Sequence, residues 1–90
     1  MPINEQRRDE IWGWAAREIL RLAGGPGTNV PFKSLWHGST KAGSPMASIE
    51  ELTETLGWAE DELLIEYTPG GISNLGSVKL TDAGYAQARA

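Results

Sequence analysis

The amino-acid sequence predicts a small α+β domain built from three helices, a β-hairpin and a short C-terminal helix. Three observations lead there. Apolar side chains recur at helical spacing from Ile11 to Ala23, and the run stops at Gly24-Gly25-Pro26. SIEELTETLG, residues 48–57, opens with the spacing of a capping box. LLIEYT and SVKL both alternate apolar with polar residues, and the turn-rich TPGGISNLGS joins them. The 90 residues form one domain, 1–90, because single domains run from about 50 to 250 residues.

Each element has a local cause. Asn4 can N-cap the first helix, with Glu5 in the turn where a carboxylate favours the helix dipole. Ile11, Trp12, Ala15, Ala16, Ile19, Leu22 and Ala23 fall on one broad face, and Arg7, Arg17 and Arg21 fall away from it. A left-handed glycine followed by proline is a usual way for a helix to end. GGPGTNVP then reads as a flexible connection. FKSLWHG, residues 32–38, makes one or two helical turns with Phe32, Leu35 and Trp36 on one face, and GSTKAGSP is a second loop rich in helix breakers.

The third helix starts at Ser48, paired with Glu51 in the capping box, or at Ser44-Pro45 with proline in the first helical position. Ile49, Leu52, Thr53 and Leu56 line its inner side, and Gly57 reads as its stop. Residues 58–62 fit either a turn or a continued helix. Leu63, Ile65 and Tyr67 share one face of the first hairpin strand, and Val78 and Leu80 point inward from the second. Thr81 caps the last helix, which runs through Tyr85 to Arg89.

The bulk composition excludes several classes. The chain has no cysteine, so disulfides, thiolate metal sites and cysteine nucleophiles are absent. No apolar run approaches the roughly 20 residues of a membrane span, and MPINEQRRDE is too polar for a signal peptide. A soluble cytoplasmic protein without cofactor is the expectation. The net charge is −4 with a pI near 4.8, whereas nucleic-acid binders usually present a basic face.

The C-terminal segment SVKLTDAGYAQARA resembles the end of a winged-helix domain. In that family a wing strand ends in a buried Leu and a Thr caps the helix behind the wing. Leu80 and Thr81 match those roles, and Gly84 would let that helix pack closely. The resemblance extends over most of the chain. VPFKSLWHGS corresponds to the second helix, SPMASIEELTETLG to the third, and LLIEYTPGGISNLGSVKL to the wing. It implies a winged-helix-like fold and, by the family's habit, duplex-DNA binding through the third helix. The residues depart from that habit. Ser48, Glu50, Glu51 and Glu54 occupy the solvent face of the third helix, where base readers carry Arg, Asn, Gln or Lys. The wing tip has no Arg or Lys.

Two function classes follow. The first is a non-catalytic module for protein–protein interaction or homodimerisation. Its surface would be Trp14 with Arg17 and Arg21, an aromatic beside arginines as at interface anchors, together with Glu50, Glu51 and Glu54. The bland alternative for Trp14 is a ring covered by the chain's own termini or stacked on an arginine. The second class is a DNA-binding transcriptional regulator, with Lys33, His37, Lys41, Ser48 and Lys79 as phosphate contacts. Read blandly, Lys33, His37 and Lys41 solubilise a loop-rich region. An enzyme is not expected. Ser34 and His37 lack an orienting carboxylate in any recognisable motif, and the single histidine falls short of a metal site. The glycines of residues 24–27 lack phosphate-loop spacing.

Overall fold

A computed structural model describes residues 4–68 and 76–89. Among them the elements follow the order α1 (Glu5–Ala23), β1 (Val30–Pro31), α2 (Phe32–Ser39), α3 (Ile49–Asp61), β2 (Ile65–Thr68), β3 (Ser77–Leu80) and α4 (Asp82–Arg89). Four helices thus pack with one three-stranded antiparallel sheet, ordered β1-β3-β2. Most of the turn-rich hairpin tip read from the sequence, residues 69–75, lies outside the described residues. No helix among the described residues is long and apolar enough to cross a membrane.

The helix ends behave as their residues dictate. The Asn4 side chain accepts from the Arg7 amide, and Gly24 closes α1 in the left-handed conformation, its amide donating to the Leu20 carbonyl. Ser48 and Glu51 form the full capping box of α3, so the helix begins there and not at Ser44-Pro45. Gly57 does not stop α3. The helix runs on to Asp61 and ends in a Schellman pair, with Leu64 donating to Ala59 and Leu63 to Glu60. The left-handed residue of that motif, usually glycine, is Leu63 at φ 62°. Leu63 therefore leaves the strand before it begins and is 74% exposed, while Leu64 is buried in its place.

Ile11, Ala15 and Ile19 of α1, Phe32 and Leu35 of α2, Leu52, Leu56 and Ala59 of α3 and Ile65, Val78 and Leu80 of the sheet form one buried core. Two positions on the predicted helix faces differ. Thr55, not Thr53, is buried on α3, its hydroxyl donating to the Glu51 carbonyl. Leu22 is 43% exposed. Trp12 is buried at the α1–α4 contact, with its indole N–H donating to Gln87. It meets Trp58 edge-on at 6.2 Å, and the Arg8 guanidinium covers Trp58 at 4.2 Å. Trp58 thus seals α1 against α3 and not the hairpin base. Trp36 is only half-buried.

The connection after α1 contains the strand that composition hid. Val30 pairs with Val78 and Pro31 with Ser77. Proline cannot donate to a ladder, which fits an edge strand this short, and Phe32 then turns into α2 while its amide reaches the Gly76 carbonyl. At the other end, Thr81 accepts from the Gly84 amide and donates to the Leu63 carbonyl, fixing α4 to the α3–β2 turn. Gly84 lies against Leu64 so closely that a Cβ would overlap the Leu64 carbonyl.

Candidate functional site

Two surfaces of opposite charge emerge from this fold. The first is the outer face of α3. Glu50, Thr53, Glu54, Gly57 and Asp61 are exposed along it, at spacings that keep them on one side of the helix. The sequence of α3, IEELTETLGWAED, contains no Lys or Arg.

Glu51, placed by the sequence pattern on the same face, is engaged elsewhere. Its carboxylate accepts from Arg7 Nε at 2.8 Å and from the Ser48 amide at 3.0 Å. Arg7 Nη2 also donates to the Pro45 carbonyl at 2.9 Å. One carboxylate therefore ties the start of α1, the α2–α3 loop and the first turn of α3 together. The hydrogen bond from Arg7 and then that from the Ser48 backbone hold its pKa at about 2, against an ordinary 4.5. The hydroxyl of Ser48 is likewise occupied, accepting from the Glu51 amide. Both side chains do structural work at the helix start, and neither is presented as an open contact.

The second surface is a groove of about 340 Å³ between the C-terminal half of α1 and α2. Arg21, Lys33, His37 and Lys41 line it, with Glu18 as its carboxylate and Leu22 as its exposed apolar residue. Helical spacing puts Lys33, His37 and Lys41 one turn apart along α2 and its C-terminal extension. The fold adds Arg21 from α1, a grouping invisible in sequence because 12 positions separate Arg21 from Lys33. Glu18 accepts from Arg21 Nε at 2.5 Å, and this pair raises the arginine's pKa. Among the described residues, Lys33 and Lys41 form no ion pair.

Trp14 does not stand free on the polar face of α1. It is half-buried and packs on the core. The reason is Gly38, where a Cβ would come within 3.2 Å of the Trp14 ring and 3.0 Å of the Glu18 carboxylate. A bare backbone on α2 lets the indole lie across it. Arg17 is exposed on α1 beyond that contact. Lys79 sits apart from the groove. It pairs across the hairpin with Glu66 at 3.1 Å, on the sheet face opposite Val78 and Leu80. Of the five residues read as phosphate contacts, the fold gathers Lys33, His37 and Lys41 and leaves out Ser48 and Lys79.

Glu18, Leu22 and Gly38 are groove residues that sequence reading missed. An acid three residues before Arg21 was the available signal for Glu18. Leu22 followed the apolar periodicity and gave none. Among the described residues, no His, Asp and Glu side chains group where they could hold a metal ion. Comparison with protein-family models, with curated proteins and with solved structures gives no match. The architecture is a small α+β domain with four helices and a three-stranded antiparallel sheet among the described residues.

Proposed function

We propose that this chain is a non-catalytic winged-helix module that docks a protein. The order of elements supports the winged-helix reading: helix, short edge strand, two helices, a hairpin and a closing helix. So does the antiparallel placement of β1 on β3, outside the hairpin. The observation behind protein docking is the outer face of α3. In a winged helix that reads DNA, this helix enters the major groove. Here it would bring Glu50, Glu54 and Asp61 against phosphates with no cation on the same helix to offset them.

Duplex-DNA binding draws on one specific observation, the gathering of Lys33, His37 and Lys41 at α2. Such binding would use α2 without α3 and would lack base readout. An NMR titration of labelled protein with mixed-sequence duplex DNA separates the two, first at low and then at physiological salt. The docking reading predicts no shifts on α3 in either buffer. Shifts on α3 that fade as salt rises would reverse the assignment.

A further inference from the structure

We propose that the α1–α2 groove receives an acidic peptide segment of a partner protein, with an apolar side chain of that segment seated on Leu22. This rests on the protein-docking reading and names its surface. The argument is one of charge and shape. A protein of net charge −4 places Arg21, Lys33, His37 and Lys41 around one concavity. The carboxylate that lines it, Glu18, is engaged by Arg21, while Lys33 and Lys41 are exposed and form no ion pair among the described residues. Those two ammonium groups are thus available to a partner's carboxylates.

Three features favour a peptide over a nucleic acid. The groove's volume of about 340 Å³ lies at the small end of ligand pockets, about 300–1,000 Å³, and suits a few side chains. Leu22, 43% exposed at its side, offers apolar contact that a phosphate backbone would not use. Glu18 beside Arg21 opposes dense negative charge more than it opposes spaced single carboxylates. The acidic face of α3 on a second copy is also charge-complementary. That contact would be head-to-tail, and such contacts extend into chains unless the rotation closes.

The test uses the 90-residue protein, isotope-labelled, and a synthetic peptide of Glu and Leu placed at helical spacing. A Gln-for-Glu peptide and mixed-sequence duplex DNA are the comparison ligands. The proposal predicts saturable shifts at Arg21, Leu22, Lys33, His37 and Lys41, weaker at high salt and absent with the Gln peptide. The K33E/K41E variant alters two exposed positions and should keep the wild-type circular dichroism. It should bind the Glu-Leu peptide at least roughly tenfold more weakly, as expected when two exposed attractions become repulsions. No shifts with the peptide at low salt, or unchanged affinity in K33E/K41E, would overturn the groove assignment. If the DNA is silent in that case, protein docking through another surface still stands. DNA shifts that include α3 would remove the docking reading as well. Self-association of the wild type, lost in K33E/K41E by light scattering, would replace the peptide with a second copy.

Discussion

Glu51→Gln isolates one charge at the junction of three segments. Glutamine keeps the shape of the side chain, and its amide oxygen can still accept from the Ser48 amide. What it loses is the charge facing Arg7. A fall from 4.5 to about 2 corresponds to at most ~3.4 kcal/mol at 1.36 kcal/mol per tenfold. Both side chains of the pair are 27% exposed, so water and salt take up part of that. About 1.5–2 kcal/mol should remain, comparable to other hydrogen bonds involving charged groups. For a domain of this size, about 4–8 °C of melting temperature accompanies each kcal/mol. The variant should therefore melt roughly 6–16 °C below wild type at pH 7. The pH dependence has a definite sign. The folded-state pKa is depressed, so the stabilisation is fully present above 4.5 and disappears as pH falls towards 2. Thermal unfolding followed by circular dichroism should show the two melting curves converging across that window. Glu50→Gln, one position away and exposed, should lower the melting temperature at pH 7 by less than Glu51→Gln does. A gap below about 0.5 kcal/mol at pH 7, or a gap that does not change with pH, would refute the role given to the Arg7–Glu51 contact.

Two backbone positions yield further predictions. Leu63→Gly relieves a left-handed leucine, worth about 1–2 kcal/mol, and adds about 0.4–1 kcal/mol of unfolded-state entropy. With Leu63 74% exposed and little packing to lose, the urea midpoint should rise at constant slope; a lower midpoint would mean that the leucine contributes packing. Gly84→Ala pushes a Cβ into the Leu64 carbonyl and to 3.1 Å from Leu80, and should cost about 1–3 kcal/mol as overpacking does. Hydrogen exchange should then accelerate first in α4, and wild-type protection there would show that α4 does not depend on this approach.

What could be read from the sequence was what short-range chemistry decides. Asn4, Gly24, Ser48 with Glu51, and Thr81 act on backbone within a few residues of themselves, and each stands where its residue type requires. The departures are long-range. β1 exists because Val30 meets Val78, 48 positions later, and nothing in GGPGTNVP announces that pairing. Gly57 carries the usual sign of a helix end, yet packing of Ala59 into the core holds α3 in register past it, and Leu63 accepts the left-handed geometry instead. Trp14 looked free on a helical wheel because the wheel does not include Gly38 on the neighbouring helix. The candidate site divides the same way. Lys33, His37 and Lys41 are one helical row and were legible as a group, whereas Arg21, Glu18 and Leu22 join them only when α1 packs on α2.

The distribution of the cations bears on the proposed acidic partner. Eight Lys and Arg side chains serve a chain with twelve Asp and Glu. Arg7 is committed to Glu51, Lys79 to Glu66, Arg8 lies over Trp58 and Arg89 over Tyr85. Those four belong to the fold's own contacts, and three of the other four line the groove. At physiological salt, charges act over about 8 Å, a small part of a molecule measuring 32 × 29 × 26 Å. A ligand that fits within the groove responds chiefly to Lys33 and Lys41, Arg21 being paired with Glu18, and is screened from most of the acidic surface. A duplex is longer than that distance, so binding at α2 would also carry its phosphates across the rest of a surface with net charge −4. Under the groove proposal, this distribution favours a short acidic segment over an extended polyanion. As salt rises, the peptide contact should weaken, because the exposed Lys33 and Lys41 charges that hold it are screened.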